Sequence, residues 1–202
     1  FSGGLHGVGI SVVNALSNRV DVTVKRNGKV FEMAFEHGEK VEELVETGTV
    51  GRRNTGTRVK FWPDVKYFDS PKFSVLRLTH LLKAKAVLCP GLTIKFHDKN
   101  EDKKYQWCYQ DGLEDYLKES IKGYVSLPEE PFLGSFSSQH EAADWAISWL
   151  PEGGEGIGES YVNLIPTISG GTHVNGLRQG LLESMREFCE FRNLIPRGLK
   201  LT

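Results

Sequence analysis

The chain has 202 residues, enough for one large domain or two small ones around a hydrophobic core. Its 25 basic and 26 acidic residues leave a formal charge of −1, so the total carries no basic excess of the kind that advertises nucleic acid. Three widely spaced cysteines (Cys89, Cys108, Cys189) argue against a disulfide framework or zinc site and for a reducing cytosol, and no apolar run approaches the roughly 20 residues of a membrane span.

The chain opens on Gly3-Gly4-Leu5-His6-Gly7-Val8-Gly9. Four glycines there free the backbone for positive φ and for close approach to a ligand. The next seven residues, Ile10-Ser11-Val12-Val13-Asn14-Ala15-Leu16, read as a short helix. A glycine-rich turn feeding a helix N-terminus offers unpaired N–H groups and a positive dipole end, which suits a polyphosphate. A turn that merely caps a helix is the competing reading. The loop is not a P-loop, because Ile10-Ser11 stands where Lys-Ser/Thr is required, and it lacks the Rossmann pattern. A nucleotide loop at residue 3 leaves no room for the element that should precede it, so the chain reads as cut from something longer.

Val20-Asp21-Val22-Thr23-Val24 alternates as a half-buried strand does, and Asn27-Gly28 is a hairpin signal with Val30, Phe31, Met33 and Phe35 on the returning strand. His37-Gly38 marks a further turn, and the acidic stretch 39–46 reads as exposed. Residues 55–62 give one more strand, stopped by Pro63-Asp64. A domain boundary is expected near residues 63–72. Helical spacing of Val75, Leu78, Leu82 and Ala86 predicts a helix over 73–88, ended by Cys89-Pro90-Gly91. Strands are expected at 92–96 and 105–109, and a helix capped by Asp111 that runs to Lys122. Pro128 and Pro131 suggest an irregular connector. Residues 145–150 and 161–165 read as a hairpin around Pro151-Glu152-Gly153-Gly154. Gly170-Gly171-Thr172 leads into a long helix over 174–191, with Thr172 as candidate N-cap.

Few side chains cluster as catalysts. Thr55-Gly56-Thr57 is either ordinary sheet decoration or a hydroxyl reaching a purine. His6 has no Ser/Asp or Cys beside it for a triad, and His173 reads as a local hydrogen-bonder. His37, His80, His97 and His140 lack metal-ligand spacing. Arg178, Arg186, Arg192 and Arg197 alternate with Glu183, Glu187 and Glu190, the pattern of a solvated, ion-paired face.

Taken in order, the opening glycine loop, Ser11-Val12-Val13-Asn14-Ala15-Leu16, Thr55-Gly56-Thr57 with Phe61-Trp62-Pro63, and Gly170-Gly171-Thr172-His173 resemble the ATPase region of bacterial type IIA topoisomerase B subunits. Residues 82–91, 175–180, 185–189 and 196–198 resemble the topoisomerase IV branch of that family more than the gyrase branch. The resemblance implies an α+β protein: a partial GHKL-type ATPase α/β sandwich over residues 1–66, then a ribosomal-S5-like transducer over 67–202, incomplete at its C-terminus. It implies that Gly4, Leu5, His6, Gly7, Val8, Gly9 and Ile10 form the end of an ATP lid, that Thr57 sits near the adenine, and that Arg26 lies at the lip of the pocket where inhibitors bind.

The same resemblance implies ATP and Mg²⁺ as cofactors, with no Mg²⁺ ligand in this chain. It places the general base N-terminal to residue 1 and the γ-phosphate lysine beyond residue 202, so this stretch alone is not expected to hydrolyse ATP. The implied partners are the A subunit in an A2B2 heterotetramer, a second B subunit in an ATP-dependent homodimer, and double-stranded DNA. The implied location is the bacterial cytoplasm at the nucleoid, with no membrane contact. A gyrase B fragment, or a non-topoisomerase GHKL nucleotide-sensing module, remains the alternative.

Overall fold

The structure, a computed structural model, describes residues 7–153 and 158–196. The chain divides into two compact units, residues 2–78 and 79–202, so the division falls within one helix. Both units are built from helices and antiparallel strands, in keeping with the α+β expectation.

In the first unit a short helix, α1 (Gly9–Ala15), precedes four strands: β1 (Ser17–Arg26), β2 (Lys29–Glu36), β3 (Glu39–Thr49) and β4 (Gly56–Pro63). The sheet order is β3-β2-β1-β4, every neighbour antiparallel. Both hairpins turn on the predicted pairs. Asn27 and Gly28 (φ 54° and 80°) and His37 and Gly38 (φ 50° and 88°) take the left-handed conformations of tight turns matched to strand twist. The acidic stretch beginning at Glu39 is exposed, as expected, and is a strand. It is the exposed edge β3, whose charges on both faces hide the period-2 signal while blunting an open edge against pairing with another chain.

Period 2 sorts the sheet into two faces. Val20, Val22 and Val24 share one with Phe35, Met33 and Phe31 of β2 and Phe61, Val59 and Thr57 of β4. Arg19, Asp21 and Thr23 share the other with Trp62, Lys60 and Arg58. The end of α1 is tied to the sheet by Ser17 Oγ donating to the Val13 carbonyl at 2.6 Å and by Asn14 Nδ2 donating to the Gly38 carbonyl at 3.1 Å. The Asp64 N–H donates to the Leu16 carbonyl at 3.0 Å, which seats the end of β4 beside the same joint.

Helix α2 (Val75–Leu88) buries Ala84, Ala86 and Val87, and Leu78 and Leu82 are half-buried on the predicted spacing. Beyond it lie the hairpin β5 (Ile94–Asp98) and β6 (Lys103–Trp107), helix α3 (Leu113–Ser120), and the long pair β7 (Leu127–Ser137) and β8 (Ala142–Trp149). Ala86, Val87 and Tyr109 form the centre of this unit's core, with Ile94, Trp107, Leu113 and Tyr116 packed around them. The unit ends with a two-residue pair, β9 (Tyr161–Val162) and β10 (Ile165–Pro166), and helix α4 (Thr172–Phe191).

Four local expectations are corrected. The stretch around Pro128 and Pro131 is the start of β7, its ladder broken between Leu127 and Phe132, because proline removes a donor without preventing extended backbone. Residues 145–150 do not pair with 161–165: β8 pairs with β7, and β9 pairs with β10. Asp111 does not cap α3. Gly112 holds that position, and Asp111 instead receives a turn bond, the Glu114 N–H donating to its carbonyl at 3.1 Å. Thr172 lies inside α4, and Gly171 precedes it with no side-chain cap.

Candidate functional site

The candidate site has two parts, a glycine turn and a strand. Of the proposed lid, Gly4, Leu5 and His6 lie outside the described residues. Gly7 has φ +67°, a value L side chains rarely adopt. Val8 stands at the helix cap position without a side-chain hydrogen bond, and the first turn of α1 carries no acidic residue. The first N–H groups of the helix therefore keep their donor capacity. Among the described residues, a Cβ built on Gly7 or Gly9 would meet nothing within 4 Å. Val8 and Ile10 are 51% and 56% exposed. The turn is thus open, positively polarised and uncrowded, which fits a phosphate.

Strand β4 carries Thr57 on the apolar face, opposite Val24 of β1, and the hydroxyl is exposed. Arg26 is the last residue of β1 and is also exposed. Antiparallel pairing brings Thr57 and Arg26 to the same end of the sheet. The C-terminal end of α1 is anchored at the opposite end, about 23 Å away at ~3.3 Å per strand residue from Ser17 to Val24.

On the other face lies a feature that the sequence did not announce. Arg19 reaches three carboxylates: Asp21 at 2.6 Å, Glu36 at 2.8 Å and Glu42 at 2.9 Å. Its hydrogen bonds to Glu42, Asp21 and Glu36 hold the guanidinium above its already high ordinary pKa. Arg19, Asp21 and Glu42 border a cavity of about 310 Å³, lined also by Glu32, Arg58 and Lys60. The alternation Arg19-Asp21-Thr23 between valines was the available signal. It shows a polar face, but not that three strands deliver carboxylates to one arginine.

In the second unit two tyrosine–carboxylate clusters join its elements. Tyr109 donates to Glu119 Oε2 at 2.6 Å while Lys83 bonds Oε1 at 3.0 Å. Tyr116 and Tyr161 donate to the two oxygens of Glu159 at 3.0 and 2.6 Å. His173 Nε2 lies 3.2 Å from Thr167 Oγ1, which in turn is 2.6 Å from Ser160 Oγ, so this histidine is held locally. Arg192 lies over Phe188 and Gln179 bonds Glu183, whereas Arg197 lies outside the described residues. Among the described residues no three His, Cys, Asp or Glu side chains converge to hold a metal ion, and no helix is long and apolar enough to cross a membrane.

The fold matches those of solved ATP-binding domains of topoisomerase IV and gyrase B. The chain belongs to the bacterial type IIA topoisomerase B-subunit family. The family described as DNA gyrase B matches residues 112–202. Within that family the chain is similar to the B subunit of DNA topoisomerase 4, with 67% identity to the Escherichia coli protein and 68% to that of Haemophilus influenzae, each over the whole chain. It spans 32% of the length of either relative.

Two solved structures share the fold. The topoisomerase IV ATP-binding domain of Francisella tularensis, in complex with a small-molecule inhibitor, has a TM-score of 0.77 and 42% identity, and covers 100% of this chain and 55% of its own. The 43K ATPase domain of Thermus thermophilus gyrase B, in complex with an aminocoumarin, has a TM-score of 0.75 and 31% identity, and covers 96% of this chain and 53% of its own.

Proposed function

We propose that this chain is the lid-end and transducer portion of a topoisomerase IV-type B subunit, and that it couples ATP binding and hydrolysis to passage of one DNA duplex through another. The observation that carries this reading is the 67% identity over the whole chain to the B subunit of DNA topoisomerase 4, against 31% to a gyrase B ATPase domain of the same fold. In this reading residues 1–66 complete the ATPase domain and 67–202 belong to the transducer.

Gly4 to Ile10 close over the triphosphate, with the uncrowded backbone at Gly7 and Gly9 leaving room for phosphate oxygens. The Thr57 hydroxyl hydrogen-bonds the adenine side of the pocket, and Arg26 stands at its lip. Bound ATP supplies a γ-phosphate that the glycine turn contacts, and a contact made only with the triphosphate biases a two-state gate. When bound, Mg²⁺ would supply neutralisation of developing phosphate charge, and residues other than these would hold it. In the intact enzyme the partners are the A subunit in an A2B2 assembly, a second B subunit and duplex DNA, in the bacterial cytoplasm at the nucleoid.

Reconstitution of the full-length protein with its A subunit tests this. The expected result is ATP-dependent decatenation of linked DNA circles and relaxation of supercoils. ATP-dependent introduction of negative supercoils assigns the chain to gyrase instead, and strand passage without ATP overturns the coupling.

A further inference from the structure

Two surface turns are joined at one end of the first unit's sheet. The Val50 N–H donates to the Gly28 carbonyl at 2.9 Å, and a Cβ on Gly28 would lie 3.5 Å from Arg52 Cγ. The β1–β2 turn is flanked by Lys25, Arg26 and Lys29. The β3–β4 turn carries Arg52 and Arg53, and β4 leaves it with Arg58, which pairs across to Thr23. Of these six cations only Lys29 has a carboxylate partner among the described residues, Glu46 at 2.6 Å. The acidic groups gather towards the other end, where Glu36 and Glu39 flank the Gly38 turn and Glu42 and Glu43 follow. A total charge of −1 thus conceals a sheet with opposite charge at its two ends.

We propose that this joined pair of turns is a docking surface for the phosphate backbone of a DNA duplex, read without regard to sequence. The choice of duplex DNA rests on the functional reading above, whereas the cationic surface does not. Arginines present a planar fork that matches phosphate oxygens two at a time. Between them, apart from the half-buried Val50, stand small or polar residues, Asn27, Gly28, Gly51, Asn54, Thr55 and Gly56, whose N–H, amide and hydroxyl groups suit phosphate and sugar contacts. A protein partner would call for an aromatic or large aliphatic anchor, and single-stranded nucleic acid for an aromatic stacking platform; the two turns carry no aromatic residue, and their one aliphatic side chain is the small Val50. Neutralising phosphates releases condensed counterions, so each arginine adds affinity that fades with salt.

The test measures binding of a labelled random-sequence duplex to the full-length protein across a salt series, by fluorescence anisotropy. The double substitution Arg52→Gln with Arg53→Gln is expected to lower affinity about tenfold and to flatten the dependence of log K on log salt by about two, while Arg52→Lys with Arg53→Lys keeps the slope. Lys25→Gln with Arg58→Gln, on the strands rather than the turns, is a second variant with the same expected direction should the first fail to fold. Unchanged affinity and slope in the folded variants overturn the proposal. So does an equal or larger loss for phosphatidylserine vesicles, a polyglutamate peptide or single-stranded RNA. Binding of a non-hydrolysable ATP analogue is followed in parallel and is expected to be unaffected by these substitutions. Its absence in the unsubstituted protein sinks the functional reading, while the salt series still decides the surface.

Discussion

Trp145 lies across Gly134, its cross-strand partner in the β7–β8 pair. A Cβ built on Gly134 would fall 2.6 Å from the indole Nε1 and nearer still to Cε2 and Cζ2 of the same ring. The glycine is required by what its neighbour does, since an indole can cover backbone only where no side chain stands.

Gly134→Ala is therefore expected to displace the indole and lower stability by about 1–3 kcal/mol, the usual cost of overpacking. Thermal unfolding and tryptophan fluorescence check it. Combining it with Trp145→Leu should cost less than the sum of the two single changes, because both act on one contact. Strict additivity would mean that the ring does not occupy the glycine's space.

The two lid glycines are expected to separate. Gly7 has φ +67°, so Gly7→Ala strains the turn by ~1–2 kcal/mol whatever binds there. Gly9 is helical and surrounded by open space, so Gly9→Ala should leave thermal stability unchanged. It should nevertheless weaken ATP-analogue affinity in the full-length protein by about tenfold, or ~1.4 kcal/mol, if phosphate approaches this backbone. Full affinity in a stable Gly9→Ala protein would count against the cradle.

Thr57 is exposed and its side chain makes no hydrogen bond among the described residues. Thr57→Val keeps the branched shape that suits β4 and removes only the hydroxyl. Nucleotide affinity is expected to fall roughly fivefold, the ~1 kcal/mol of one hydrogen bond, with the unfolding temperature unmoved. Calorimetric titration distinguishes this from a sheet-decorating threonine, which would leave binding intact.

The tyrosine–carboxylate clusters predict loss of stability at both ends of the pH scale. Burial and the bond to Glu159 push Tyr116 up to about 12, and burial with the same carboxylate raises Tyr161. A phenol whose pKa is raised by folding adds stability that is complete below its unfolded value of about 10 and is lost as pH climbs towards the folded value. Unfolding should therefore set in between about pH 10 and 12, and Glu159→Gln should move tyrosinate absorbance to lower pH. Glu119 is lowered by the Tyr109 hydroxyl and Lys83. Its contribution is present above the ordinary glutamate range and is lost as pH falls through its depressed value, so Glu119→Gln should flatten the acid limb.

Local chemistry made the framework legible. Asn27-Gly28 and His37-Gly38 announce tight turns because few other residues accept positive φ, and alternation at 20–24 marks a strand because only one face is buried. The glycine run and Thr57 were legible as candidate binding residues for the same reason, since backbone freedom and an isolated hydroxyl are properties of the residues themselves. Pairing at 145–149 was not legible. That strand's partner begins at Leu127, beyond two prolines, and apolar periodicity says a segment is extended without saying which other segment satisfies its backbone.

Residue types at short spacing were enough for the turns and for most of the strands and helices, and the family was legible as a resemblance of motif blocks taken in order along the chain. Folding was needed before Arg19 could gather carboxylates from three strands, before Trp145 could require Gly134, and before two separate turns could pool five cations without a described carboxylate partner. Each of these joins groups that lie between 2 and 33 positions apart in the chain but meet through strand register. Charge in particular is additive in composition but positional in space, so a near-neutral total cannot reveal a sheet that is basic at one end and acidic at the other.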